Sequence, residues 1–261
     1  MTWIEALILG IIQGLTEFLP VSSSGHLEIG KVLLGVELEE DISFTILVHF
    51  ATVLSTITVF FGEIRKLGTG VLKFRWNSET IYVAKILASM IPVLIVGMFF
   101  KEDVESLFSG NLHLVGAALL VTAALLASTQ LIIAGNKKIP FSDAFIMGIA
   151  QAIAVIPGIS RSGATISAGL LMKNDRDEVA RFSFLMVLLP IIGMALLNIL
   201  SLSGEAEPSS VSTIALVTGF LAAYVSGFLA CRWMIRLVRK GNLYWFAIYC
   251  AVVGIISIIA G

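Results

Sequence analysis

The sequence predicts an all-α integral membrane protein of six transmembrane helices plus two re-entrant helical hairpins, arranged as an inverted-topology repeat. Three observations predict it: an inventory too apolar for a water-facing surface, six long stretches without Asp, Glu, Lys or Arg, and a segment near the amino terminus that recurs past the middle of the chain. Of 261 residues, 57% are hydrophobic and 13% charged, whereas soluble domains carry about 25% charged residues. The mean hydropathy is +0.98. A net charge of −1 argues against nucleic acid as a partner. Cys231 and Cys250 lie inside apolar runs, where a thiol serves as a small packing hydrophobe. The amino terminus lacks the basic region and small-residue cleavage site of a secretory signal, so the whole chain is expected to be mature.

The six uncharged stretches are 42–62, 86–100, 114–134, 182–203, 211–231 and 243–261, against about 20 residues for a helix that crosses a bilayer. The second is short and is expected to start near Ile81, with Lys85 extending toward the head groups. Two further apolar stretches, 6–19 and 144–159, are broken by Pro and Gly and followed by a polar tip. Each half is too short to cross a hydrocarbon core about 30 Å thick, which predicts a hairpin that enters and leaves by the same face.

Basic short loops orient the chain. Arg65, Lys66, Lys73 and Arg75 follow the first span, Lys137 and Lys138 the third, and Arg232, Arg236, Arg239 and Lys240 the fifth. These segments are expected in the cytoplasm. The alternate loops carry Glu37, Glu39, Glu40 and Asp41, then Glu102, Asp103 and Glu105 against Lys101, then Glu205 and Glu207. They are expected outside, with both termini, in a multi-pass protein surrounded by membrane lipids.

Residues 6–25 overlay 144–163 at a constant offset of 138, pairing Gly10 with Gly148, Gln13 with Gln151, Ser22 with Ser160, Ser24 with Ser162 and Gly25 with Gly163. The offset continues to Phe44 with Phe182 and Leu47 with Leu185. Each half, approximately 1–138 and 139–261 of a single membrane domain, is then one hairpin plus three spans. An odd number of crossings inverts the second half, and such repeats place a site mid-membrane at their interface.

The polar residues concentrate there. Gln13 and Glu17 are four apart and share a helix face. A lone intramembrane carboxylate costs about 2.5–3.5 kcal/mol, so Glu17 requires a partner or a function; bonding the serine-rich tip alone is the plainer reading. Pro20-Val-Ser22-Ser23-Ser24-Gly25-His26 breaks one helix and starts the next. Its amides and helix dipole form an anion site. The mirror segment, Pro157-Gly-Ile-Ser160-Arg161-Ser162-Gly163-Ala-Thr165, adds a guanidinium that can grip two oxygens at once. Phosphate, chloride or a carboxylate fits such a cradle, and Arg161 can also tie the repeats together through Glu17. His26 is expected beside Ser22 and Ser23 and within reach of Glu17, completing an acid–base and nucleophile set. His49, in an apolar span, and His113, at a loop edge, are read as packing residues, and nothing has zinc-binding spacing.

In that order, Gln13-x-x-x-Glu17, Pro20-Val-Ser-Ser-Ser-Gly-His26 and Pro157-Gly-Ile-Ser-Arg161-Ser-Gly-Ala-Thr165 resemble the motifs of the bacterial undecaprenyl-diphosphate phosphatases, the bacitracin-resistance family. The resemblance spans essentially the whole chain. It implies hydrolysis of undecaprenyl diphosphate to undecaprenyl phosphate and inorganic phosphate, which recycles the lipid carrier of cell-wall synthesis. It also implies an active site built from the acidic motif, the Ser–His tip and the Arg motif. Many relatives carry Glu where this chain has Gln13, so Glu17 is the motif's one carboxylate.

The expected catalytic residues are therefore Glu17, Ser23, His26 and Arg161. Gln13, Ser22, Ser24, Gly25, Ser160, Ser162, Gly163 and Thr165 are expected to hold the substrate. Ser23 attacks with His26 as base, or His26 attacks, or water does. Glu17 orients the imidazole or holds Mg²⁺ or Ca²⁺, since phosphate plus one carboxylate is a common way to hold a hard cation; no organic cofactor is expected. A second copy of the chain is an admissible partner. The rival reading is a transporter or flippase for an anionic lipid or small anion, an architecture in which inverted repeats recur.

Overall fold

The computed structural model describes residues 1–35, 42–107, 111–132, 135–202 and 211–261, and there the chain is helical almost throughout. Glu37, Glu39, Glu40, Asp41, Glu205 and Glu207, two thirds of the acidic case for orientation, lie outside the described residues. The helices are α1 (Trp3–Phe18), α2 (Ser23–Leu34), α3 (Ile42–Val59), α4 (Phe61–Val71), α5 (Ser78–Phe99), α6 (Lys101–Ser106) and α7 (Leu112–Ser128, extended by a 3₁₀ turn to Leu131). The second half adds α8 (Phe141–Ile153), α9 (Arg161–Leu171), α10 (Arg176–Leu202), α11 (Thr213–Lys240) and α12 (Tyr244–Ala260).

Several boundaries differ from those expected. The stretch 42–62 is not one straight helix, because the chain turns by 76° between α3 and α4. Arg65 and Lys66 therefore lie on a helix rather than in a loop. Helix α5 begins at Ser78, where the Asn77 side chain accepts the Thr80 N–H at 2.8 Å, so Lys85 is inside the helix with its ammonium over the Phe141 ring. Helix α11 continues nine residues past Cys231 and carries Arg232, Arg236, Arg239 and Lys240 on its last turns before Gly241 caps it at φ 74°. Cations stabilise a helix carboxyl end, so charge ends the apolar run without ending the helix.

Glycines set the packing that carries the site. Helix α1 lies along α11, where a Cβ on Gly10 would overlap the Gly219 carbonyl and one on Gly14 the Ser226 hydroxyl. The facing residues of α11, Ala215, Gly219, Ala223 and Gly227, are small at every fourth position, which lets backbones approach in a membrane. Helix α8 meets α5 in the same way, with Gly148 against the backbone of Ser89. Helices α7 and α12 touch through Gly116 and Gly254, each facing the other's carbonyl oxygen.

The surface is apolar where these helices face outward. Ile214, Val217, Leu221, Val225 and Leu229 line the outer face of α11, and Leu87, Ile91, Leu94 and Met98 that of α5. By length and apolarity, Ser78–Phe99, Leu112–Leu131 and Thr213–Lys240 suffice to cross a bilayer, and Phe44–Val59 with Phe61–Val71 reaches that length only when the pair, bent by 76°, is counted as one span. The chain is a multi-pass membrane protein.

Candidate active site

Two short-helix pairs bring their tips together inside the bundle. Helices α1 and α2 are joined through Leu19–Ser22, and α8 and α9 through Ala154–Ser160. In both, a serine caps the second helix: Ser22 Oγ accepts the Gly25 N–H at 3.3 Å, and Ser160 Oγ accepts the Gly163 N–H at 3.0 Å. The tips bond directly, because Gly158 N–H donates to Ser22 Oγ at 3.1 Å and the Ser162 hydroxyl to the Leu19 carbonyl at 3.4 Å. Gly25 packs on Gly158, whose φ of 96° suits only glycine. Thr122 of α7 staples the second tip, donating to the Gly158 carbonyl at 3.1 Å and accepting the Ser160 N–H at 3.0 Å.

The Glu17 carboxylate, 6% exposed, is the hub. Arg161 Nη2 donates to Oε1 at 3.1 Å. Ser23 Oγ donates to Oε2 at 2.6 Å, and Gln13 Nε2 to the same oxygen at 2.9 Å. His49 Nε2 lies 3.9 Å from that oxygen. The four acceptor directions of a carboxylate are thus nearly filled, which answers the cost of its burial. Ser23 and Ser24 open α2, and Arg161 and Ser162 open α9, so their N–H groups have no partner within the helix and point toward the tips. Each helix amino end carries positive potential at its tip, and Arg161 adds a guanidinium at the second.

A small cleft of about 20 Å³ adjoins this hub. Glu17, Arg161, Ser162, Thr52 and Thr56 form its polar wall, and Phe18, Phe184, Val187, Leu188 and Ile191 its apolar wall. The lining is thus two-sided, polar beside Glu17 and apolar along α10.

The structure corrects the expected position of His26. Its Nδ1 is 2.8 Å from the Ser22 carbonyl and its Nε2 is 2.8 Å from the Tyr249 hydroxyl. A carbonyl only accepts, so Nδ1 carries the proton and Nε2 accepts from Tyr249, whose ring stacks on the imidazole at 5.5 Å. Neither nitrogen bonds Ser23 or Glu17. The imidazole beside Glu17 is that of His49, a residue the sequence assigns to packing. Ser22 has φ 71°, a left-handed conformation that costs about 1–2 kcal/mol outside glycine; its carbonyl and hydroxyl bonds hold it there.

The expected binding residues separate into two sets. Gln13, Ser23 and Arg161 meet at Glu17, and Ser162 lines the cleft. Ser22, Ser24, Gly25, Ser160 and Gly163 build the two tips, while the Thr165 hydroxyl, wholly buried, returns to the Arg161 carbonyl at 2.9 Å. Thr52 and Thr56 were missed, although His49, Thr52 and Thr56 are spaced for one helix face. As for a divalent ion, both oxygens of Glu17 are engaged by protein donors, and among the described residues no three His, Cys, Asp or Glu side chains gather as a metal cage. These residues do not by themselves fit a resident metal.

The fold and hub define a class: a multi-pass membrane protein whose two hairpin tips hold a serine hydroxyl and a guanidinium against one buried carboxylate. Residues 6–256 match the family described as bacitracin resistance protein BacA, and the chain belongs to that family. It is 55% identical to a protein of Bacteroides fragilis over 99% of this chain and 98% of the other. It is 52% identical to one of Christiangramia forsetii, over 98% and 97%, and 39% identical to one of Salinibacter ruber, over 97% of both. All three relatives bear the name undecaprenyl-diphosphatase.

Proposed function

We propose that this chain hydrolyses undecaprenyl diphosphate to undecaprenyl phosphate and inorganic phosphate, and so recycles the lipid carrier of cell-wall synthesis and confers bacitracin resistance. The observation that carries the chemistry is the 2.6 Å bond from Ser23 Oγ to Glu17 Oε2, with Arg161 on the other oxygen. The family and its named relatives supply the substrate.

Ser23 is the nucleophile and Glu17 the base that takes its proton. Arg161, with the amides of Ser23, Ser24 and Ser162, holds the terminal phosphate and stabilises charge that develops on its oxygens. His26 holds the tip through Ser22 rather than attacking. The apolar wall of the cleft takes the first isoprene units.

The architecture we propose is six spans, in α3, α5, α7, α10, α11 and α12, with α1–α2 and α8–α9 as re-entrant hairpins. Helix α1 breaks at a tip after 16 residues and α8 after 13, and each is followed by a second short helix, α2 of 12 residues and α9 of 11, as in a hairpin whose arms stop short of the far side. Helix α1 packs on α11 as α8 packs on α5, and Gly116 touches Gly254, its mate at the offset of 138. These relations support inverted repeats at 1–138 and 139–261 about an axis through that contact, and the loop charges support both termini on the outer side of the cell membrane.

The test is phosphate release from a C55 or shorter prenyl diphosphate by the purified chain in detergent. Release supports the hydrolase. Saturable binding of the lipid with no release would leave the transporter.

A further inference from the structure

Resting on the hydrolase reading, the geometry points to His49 as a positioning residue that relays the proton of the Ser23–Glu17 pair; we infer that it, and not His26, is the imidazole of the reaction. Its Nδ1 lies 2.8 Å from the Thr45 carbonyl, which can only accept, so Nδ1 carries the proton and Nε2 presents a lone pair. That nitrogen is 3.9 Å from Glu17 Oε2, the oxygen that receives the Ser23 hydroxyl. A small rotation of the imidazole closes this gap. The His49 side chain is 18% exposed, and Thr52 and Thr56 continue its face along the cleft wall.

The charges that face His49 come from three helices: Glu17 of α1, Lys31 of α2 and Arg161 of α9. Lys31 donates to the Thr45 hydroxyl at 3.3 Å, one helical turn from His49. The other helices packed on α3 bring it no charge among the described residues: α10 supplies the apolar cleft wall, the Tyr224 hydroxyl of α11 meets α3 at Thr58, and Glu63 of α4 pairs with Arg181. The Glu17 carboxylate is engaged by Arg161, Ser23 and Gln13 at once, which leaves little room for a proton to rest on it. An imidazole behind it supplies the capacity to carry the proton away.

In the first step Ser23 Oγ bonds to the terminal phosphorus as the bond from phosphorus to the bridging oxygen breaks, its electron pair leaving with the lipid monophosphate. The Ser23 proton passes to Glu17 Oε2 and on to His49 Nε2. In the second step a water oxygen bonds to phosphorus and the P–Oγ bond breaks, its electron pair going to Oγ. One water proton reaches Oγ through Glu17, the other stays on the phosphate, and the imidazolium releases its proton to solvent.

The experiment compares wild type, His49→Gln and His49→Ala as full chains in one detergent, reading kcat, KM and Tm for farnesyl diphosphate across pH. His49→Gln keeps the shape of the side chain but cannot carry a proton. Since general acid–base catalysis contributes about 10²–10⁴-fold, its kcat should fall at least about tenfold with KM little changed, and the pH profile should lose one inflection. Added imidazole should restore part of the His49→Ala turnover. Wild-type kcat and profile in His49→Gln overturn the relay. So does a lost kcat in both variants with no imidazole rescue and a profile parallel to wild type, whatever the Tm. A wild-type protein that releases no phosphate fails the hydrolase reading instead.

Discussion

Arg161 Nη2 and Glu17 Oε1 lie 3.1 Å apart, joining the amino end of α9 to the carboxyl end of α1 across 144 positions of sequence. The bond ties the two hairpin tips and holds the guanidinium at the mouth of the cleft, so Arg161 has structural and chemical work at once. Two substitutions separate them. Lysine keeps the charge and can still reach Glu17 but loses the planar fork. Arg161→Lys should cut kcat by about 10–100-fold, the scale of one lost transition-state donor, with a small change in Tm. Arg161→Ala should also lower Tm, because a buried carboxylate stripped of its partner costs about 3–5 kcal/mol. Full activity in Arg161→Lys would contradict the phosphate clamp.

The second histidine offers a contrast. His26→Ala removes the bond that holds the Ser22 carbonyl at positive φ, and most turnover should disappear. Tyr249→Phe removes the hydrogen bond to Nε2 but keeps the stacked ring. A hydrogen bond is worth about 1 kcal/mol, so turnover should stay within about fivefold of wild type. A Tyr249→Phe protein as inactive as His26→Ala would place Nε2 in the chemistry.

Close approach of α1 to α11 predicts that Gly14 tolerates no side chain. Gly14→Val should lower Tm by several degrees, by analogy with overpacked cores that lose about 1–3 kcal/mol, and should reduce kcat by displacing Glu17 one turn away. The measurement is Tm and phosphate release in the same detergent, with Gly62→Ala, whose position is open, as control.

Topology is tested by labelling. Cys231 and Cys250 are wholly buried, so they give little background. A cysteine at Ala260 should react with an impermeant thiol reagent in intact cells, and one at Lys138 should not. Reaction at Lys138 alone would invert the orientation.

Much of this was legible in the sequence, for physical reasons. Gln13 and Glu17 meet because four residues make a turn, and the repeat offset puts Arg161 opposite Ser23 at the first residue of its helix. The bend after Val59 was not legible, since Phe60, Phe61 and Gly62 continue the apolar run with no proline to mark it. Nor was the exchange of histidines. His26 is next to the serine tip in sequence, but its ring turns to Tyr249 on α12, 223 residues away, while His49 reaches Glu17 from a span with no local motif. The signal that could have found His49 is the one that flagged Glu17, an ionisable side chain inside an apolar span.

The central claim is that the Ser23 hydroxyl, held by Glu17, attacks the terminal phosphorus. The direct measurement is phosphate release from a prenyl diphosphate by Ser23→Ala beside wild type, at matched Tm. Loss of the nucleophile should leave turnover lower by at least about 10³-fold, since cradle and water alone supply only residual catalysis. Turnover in Ser23→Ala within about tenfold of wild type would contradict the account and assign the attack to water.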